Sequence, residues 1–260
     1  MTTDRPSLRA EGVTRRFGGA KGTLAVDAVS IEVRPGETLA LVGESGSGKT
    51  TLGRLLVGLE APDAGAVTYG ETALARMTRS DLVAFRREVQ IVFQDPYASL
   101  NPRLTVRSTL AEVLSVHRIA HGFDAEDRIA GLLERVGLDP ASADRYPHEF
   151  SGGQRQRIGV ARALAVEPSI IIADEPVSAL DVSVQAKILA LLIDLQADLG
   201  LGYLFISHDL AVVRRVADRV AVMRAGRLVE TGAADAVYDT PSDDYTQALL
   251  AAVPTLPTAT

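Results

Sequence analysis

At 260 residues, 47% of them hydrophobic, the chain can bury a sizeable core, and disorder is not its default state. A net charge of −6 argues against nucleic acid as a partner, since a phosphate backbone calls for a basic face. With no cysteine, the chain has no disulfide, no thiolate metal site and no cysteine nucleophile.

The opening stretch from Met1 to Ser7 is polar and lacks the apolar centre of a signal peptide, and no run of 18 apolar residues follows. A soluble cytoplasmic protein is the expectation. Leu8 to Val13 predicts a short strand. Phe17 then falls in a polar, glycine-rich stretch, Arg15-Arg16-Phe17-Gly18-Gly19, which predicts a loop. An aromatic there either tucks into the nearest core or stacks on a ligand base, and the residues alone leave both readings open. Val29 to Val33 alternates as a half-buried strand does, and Pro35-Gly36 marks a turn.

Next comes an apolar run, Thr38 to Val42, then Gly43-Glu44-Ser45-Gly46-Ser47-Gly48-Lys49-Thr50, then a helical pattern from Thr50 through Thr51 to Leu56. This is the phosphate-loop pattern G-x-x-x-x-G-K-[ST] in its required strand–loop–helix setting. Gly43, Gly46 and Gly48 let the backbone curl so that its N–H groups face phosphate oxygens. The helix start adds unpaired N–H groups and the positive end of its dipole. Lys49 brings a charge to the β- and γ-phosphates, and the Thr50 hydroxyl can ligate Mg²⁺.

Pro62 to Gly65 is a turn before a short strand at Val67 to Tyr69, and Glu88 to Phe93 predicts a strand ending at Gln94. The stretch from Asp95 to Arg103 predicts a loop with Tyr97 and Leu100 exposed, which is either a contact surface or an ordinary connector. From Thr105 to about Ala165 the pattern is helical, with Ile129, Leu132, Leu133 and Val136 on one face and Gly137 as a stop. This block predicts a subdomain inserted between strands. His117 and His121, four apart, either share a metal or are surface histidines; no carboxylate stands at a fixed spacing to complete a site.

Ser151-Gly152-Gly153-Gln154 precedes a helix to Ala165 and offers a second anion-binding helix start. A mononucleotide needs only one such cradle, so Ser151 is either a second phosphate contact or a plain N-cap. Ser169 to Ala173 has the β-branched apolar character of a central parallel strand and ends at Asp174-Glu175-Pro176. Beside a phosphate loop, two carboxylates at a strand end divide their labour: Asp174 in a Mg²⁺ shell, Glu175 to orient or deprotonate the attacking water. Ser178-Ala179-Leu180-Asp181 precedes a long helix with a predicted core stripe at Val184, Ile188, Leu191, Leu195 and Leu199. Tyr203 to Ser207 is another apolar strand and delivers His208 to its carboxyl end, where open α/β sheets bind ligands. A hairpin around Ala225-Gly226 and a helical patch at Tyr245 to Ala252 complete the chain.

With these motifs in place, the chain resembles the ATP-binding subunit of an ABC transporter. The likeness rests on the phosphate loop at Gly43 to Thr50, a Q-loop at Gln94 and the signature Ser151-Gly152-Gly153-Gln154. It also rests on Asp174-Glu175, a D-loop from Ser178 to Asp181 and a switch histidine, His208. Phe17 stands where the family stacks adenine. Within the family, the segments Phe93 to Arg103, Asp174 to Ser183 and Pro241 to Leu250 resemble oligopeptide, dipeptide and nickel importers. The cysteine cluster of some peptide-importing relatives has no counterpart, so an iron–sulfur site is not expected.

The resemblance implies an α/β P-loop NTPase core of the RecA-like kind with an antiparallel β subdomain and an inserted α-helical subdomain. The core would cover about residues 1–94 and 166–232, the helical subdomain about 95–165 and a family tail about 233–260. It implies ATP and Mg²⁺ as cofactors, with Thr50, Gln94 and Asp174 around the metal and Gly43 to Thr51, Ser151 to Gln154 and Asp181 around the nucleotide. Glu175, His208 and Gln94 would be catalytic. Its partners would be a second ABC ATPase subunit stacked head to tail, two integral membrane permease subunits and an extracytoplasmic substrate-binding protein, at the cytoplasmic face of the membrane. Oligopeptide or dipeptide import is the leading expectation. Nickel or metal-chelate import, and a non-transport ABC ATPase of the carbon–phosphorus lyase type, are the alternatives. A small-molecule kinase would explain Gly43 to Thr50 but leave Ser151 to Gln154 without a role.

Overall fold

The computed structural model describes residues 5–19, 22–95 and 99–252. The chain divides into two compact units, one formed by residues 1–76 and 202–260, the other by 77–201.

The first unit opens with strands β1 (Leu8–Phe17) and β2 (Thr23–Val33), which pair antiparallel. Strand β3 (Thr38–Val42), helix α1 (Lys49–Leu56) and strands β4 (Ala64–Tyr69) and β5 (Thr72–Ala73) follow. The order β2-β1-β4-β5 makes an antiparallel sheet. β1 runs four residues beyond the predicted Val13. Its pairing is broken by bulges between Ala10 and Arg16, which interrupt the alternation that a strand reading relies on. Asp63 supports this extension by accepting the backbone N–H of Arg16 at 2.6 Å and the Arg15 guanidinium at 3.0 Å. Phe17, expected in a loop, is therefore the last residue of β1, opposite Thr23.

The second unit starts with α2 (Arg79–Glu88), whose N-cap Thr78 forms a reciprocal capping box with Asp81. Strand β6 (Val89–Val92) follows, then helices α3 (Val106–Val116), α4 (Phe123–Arg135) and α5 (Gly152–Leu164), strand β7 (Ile170–Asp174) and helix α6 (Val182–Leu199). β6 and β7 pair in parallel. Ile129 and Leu133 of α4 and Val136 just beyond it are buried, as their spacing predicts. The stripe on α6 is displaced: its buried residues are Ile188, Leu189, Leu192 and Leu195, because the helix is apolar on more than one face and packing selects among them. Gly200, in the left-handed conformation at φ 64°, ends it.

Leu100 corrects another expectation. It is buried, at 3% exposure, rather than displayed on a contact loop. Beside it the Ser99 carbonyl accepts a hydrogen bond from Arg162 on α5, a guanidinium whose own pKa burial lowers, so this segment is folded onto the helix. Tyr97 lies outside the described residues.

The chain re-enters the first unit with β8 (Gly202–Ser207), α7 (Leu210–Val213), β9 (Arg219–Arg224), β10 (Arg227–Ala233), α8 (Ala234–Asp239) and α9 (Asp244–Ala251). Here β3 lies between β8 and β9, parallel to both, and β10 closes the edge antiparallel to β9. Every residue of β3, β7 and β8 is buried, which is why all three are predominantly apolar rather than alternating, with polar residues only at their ends (Thr38, Asp174, Ser207) apart from the Tyr203 hydroxyl.

Candidate active site

In the first unit, strand register brings the site together. Val42 of β3 lies opposite Ser207 of β8, so Gly43 and His208 leave neighbouring parallel strands at the same carboxyl edge. His208 is exposed there, while every residue of the strand before it is buried.

The loop after β3 depends on glycine at two crossings. Gly43 has φ 148°, and a Cβ on it would lie 2.1 Å from the Met223 carbonyl oxygen of β9. Gly48, at φ 105°, would place a Cβ 2.1 Å from the Ala25 carbonyl oxygen of β2. Side chains are excluded at both places, and the backbone threads between two strands. The loop is further tied to the β9–β10 hairpin, where Gly226 N–H donates to the Ser47 carbonyl at 2.9 Å. It is also tied to α9: the Tyr245 hydroxyl accepts the Glu44 N–H at 3.1 Å. Residues 44–46 are exposed; Ser47 is buried, and Thr50 and Thr51 are half-buried at the start of α1.

Lys49 is 5% exposed. Its ammonium donates to the carbonyls of Gly43 at 2.7 Å and Glu44 at 2.8 Å, and to Ser47 Oγ at a longer 3.4 Å. A buried cation is thus held over the loop by carbonyl dipoles. Phe17 is 39% exposed with the Arg15 guanidinium 5.0 Å from its ring centroid, so it is not tucked into the core.

The second unit carries a matching strand edge. Val92 lies opposite Ala173, so Gln94 and Glu175 emerge together beyond β6 and β7. Gln94 Nε2 donates to Glu175 Oε2 at 2.9 Å and to Ser178 Oγ at 3.4 Å, and Ser178 Oγ donates to the Glu175 carbonyl at 3.1 Å. Glu175 has φ 47°, a left-handed conformation that costs a non-glycine residue energy and concentrates at functional sites. Asp174, just before it, is 5% exposed.

Ser151 is the N-cap of α5 in a capping box: its Oγ accepts from Gln154 N at 3.3 Å, and Gln154 Oε1 accepts from Ser151 N at 2.9 Å. Both residues are nonetheless exposed, Gly152 is half-buried, and Gly153 is buried so closely against α6 that a Cβ would sit 2.3 Å from Val184 Cγ1. Asp181 caps α6, accepting from Val184 N at 2.9 Å and from Ser183 Oγ at 2.7 Å; the Ser183 bond foremost holds its carboxyl below the usual range. The sequence offered no signal for Ser178 as a brace of Glu175, nor for Tyr245 as a partner of the phosphate loop. His117 is half-buried, with burial and the Arg87 charge lowering its pKa; among the described residues no group of three or more His, Asp or Glu could hold a metal ion.

A family model described as "ABC transporter" matches residues 26–178, from β2 through the phosphate loop to Ser178. The chain belongs to the ABC transporter family. Among curated members, it is 53% identical over 257 residues to the glutathione import ATP-binding protein GsiA of Escherichia coli (strain K12) and to that of Shigella flexneri serotype 5b. Each alignment covers 96% of this chain but 41% of the relative, so the chain spans about two fifths of the length of the curated ABC proteins it matches. Solved ABC structures share the fold. One is the dimeric post-hydrolysis ATP-binding cassette MJ0796 bound to ADP and Pi (TM-score 0.78, 29% identity, 87% of this chain and 98% of that one). Another is cbiO1 from Clostridium perfringens, part of the ABC transporter complex cbiONQ (TM-score 0.79, 27% identity, 91% of this chain and 92% of that one).

Proposed function

We propose that the protein binds and hydrolyses ATP as the nucleotide-binding subunit of an ABC importer, with small peptides as cargo. The observation that carries the ATPase reading is the buried Lys49 ammonium over a glycine-threaded loop whose neighbouring strand ends in His208. Lys49 and the loop N–H groups take the β- and γ-phosphates, Phe17 stacks on adenine, and His208 contacts the γ-phosphate. Glu175 accepts the proton of the attacking water, with Gln94, its hydrogen-bond partner at 2.9 Å, orienting that water. Thr50, Gln94 and Asp174 supply hard oxygen donors of the kind Mg²⁺ takes, and a buried carboxylate at a strand end suits a cation. Mg²⁺ there would neutralise charge building on the phosphates.

The Ser151 to Gln154 turn and Asp181 of one subunit meet the nucleotide of a second ATPase subunit, a reading supported by the dimeric MJ0796 cassette. Two integral permease subunits and an extracytoplasmic binding protein complete the assembly, with this chain peripheral at the cytoplasmic face. Among the described residues no helix is long and apolar enough to cross a membrane. The peptide assignment draws on the glutathione import of these relatives, glutathione being a small peptide.

Glu175→Gln tests the chemistry. It is expected to keep ATP binding and lose at least about a hundredfold in turnover, the scale of general-base catalysis; wild-type turnover would sink the assignment. Trapping the same variant with ATP in cells tests the assembly. Recovery with two integral membrane subunits and a peptide-loaded binding protein supports the importer, a nickel or metal chelate on that protein moves the cargo, and a soluble enzyme complex without membrane subunits overturns transport.

A further inference from the structure

The helix nearest the end of the described chain reaches the phosphate loop. Tyr245, in the first turn of α9, accepts the Glu44 N–H at 3.1 Å, across 201 positions of sequence. The tyrosine is held from three sides. The Asp243 carboxylate caps its backbone N–H at 2.8 Å, the Arg224 guanidinium lies 4.7 Å from its ring centroid, and the side chain is 8% exposed. The turn ahead of α9 is anchored to β10. Glu230 accepts from Ser242 N at 2.8 Å, Ser242 Oγ at 2.9 Å and Asp243 N at 3.2 Å. Arg224 itself directly follows Met223, the residue whose carbonyl crosses Gly43.

The loop therefore has an outer wall. β9 fixes its first glycine, the β9–β10 hairpin fixes Ser47, and Tyr245 fixes the exposed residue between them. Residues 44–46 are the solvent-facing part of the loop, and a glycine-rich turn with its N–H groups unordered loses conformational entropy when a phosphate arrives. We infer that Tyr245 is a positioning residue for nucleotide binding: its hydroxyl pre-orders the outer arm of the phosphate loop, making the segment from Ser242 to α9 part of the binding machinery. The inference rests on the reading of Gly43 to Thr50 as the phosphate cradle.

Tyr245→Phe removes the hydroxyl and keeps the ring under Arg224. A tyrosine that only fills space tolerates this change without consequence. The structure instead requires two effects: faster hydrogen exchange of the Glu44 amide in the nucleotide-free protein, and ADP dissociation constants about three- to tenfold higher, the scale of one hydrogen bond. ADP is the probe because its phosphates need only this loop. An unchanged ADP affinity in a variant whose wild-type parent binds ADP overturns the role of Tyr245 alone. Weaker ADP binding with unchanged Glu44 exchange overturns the pre-ordering mechanism. A wild-type protein with no ADP affinity overturns the phosphate-cradle reading and the inference with it, whatever the amide does.

Discussion

Two glycines of one loop carry different loads, and the difference is measurable. At Gly43 an alanine Cβ would sit 2.1 Å from the Met223 carbonyl oxygen and 3.1 Å from its carbon, at a φ of 148°. Met223 cannot retreat cheaply, because its neighbour Val222 is paired with Val42 in the β3–β9 ladder. Relieving the overlap takes a shift of about 1 Å in one of two hydrogen-bonded strands, an overpacking cost of about 1–3 kcal/mol. The backbone conformation adds about 1–3 kcal/mol, so Gly43→Ala costs about 2–6 kcal/mol. Gly46, at φ 79°, has nothing within 4 Å of its would-be Cβ. Gly46→Ala therefore pays only the left-handed penalty of about 1–2 kcal/mol. Taking midpoints, the two variants differ by about 2.5 kcal/mol, or about 5–10 °C in melting temperature for a protein of this size. Differential scanning fluorimetry without nucleotide reads that gap. Variants melting within about 2 °C of one another, or Gly46→Ala melting lower, would refute the threading of the loop past β9.

Lys49→Met keeps the length of the side chain and removes its charge; ADP affinity is expected to fall about a hundredfold by fluorescent-nucleotide titration, the equivalent of one charge-assisted contact of about 3 kcal/mol. Leu100→Ala distinguishes a buried residue from a docking one. Burial at 3% exposure predicts a loss of about 2–3 kcal/mol in denaturant unfolding, whereas an exposed leucine would cost within about 0.5 kcal/mol. Glu32 gives the pH dependence. Burial acts to raise its pKa, but hydrogen bonds from the Arg34 and Arg9 guanidiniums outweigh it and bring it down to about 2. A depressed carboxylate stabilises the fold above its unfolded pKa of 4.5 and ceases to as pH falls through its folded value. Discounted for solvent screening, the contribution is about 1 kcal/mol, so Glu32→Gln should melt below wild type at pH 7 and converge with it as pH drops from 4.5 toward about 2.

The parts of this molecule that were legible in its sequence are those fixed by short-range physics. β3, β7 and β8 are buried throughout, so each is a predominantly apolar run, and each leads at its carboxyl end into residues of the proposed site. The phosphate loop was legible because close backbone crossings demand glycine at set positions. Where local pattern and packing disagreed, packing decided. Bulges carried β1 on to Phe17, α6 turned a neighbouring face inward, and Arg162 drew the segment around Leu100 onto α5.

The contacts with no local signal at all are the ones that brace the site. Ser178 could be named as a motif residue, yet its bond to the Glu175 carbonyl exists only because the turn after β7 folds back on itself. Glu175 sits there at φ 47° with Gln94 on its carboxylate, so the proposed base is both strained and occupied. The phosphate loop has the same construction. Lys49 makes its short bonds to the Gly43 and Glu44 carbonyls while Tyr245 holds the Glu44 N–H, so both polar ends of the Gly43–Glu44 peptide group are fixed by the protein's own side chains. Order of this kind requires a helix two hundred residues further on, and no window of sequence around the loop contains it.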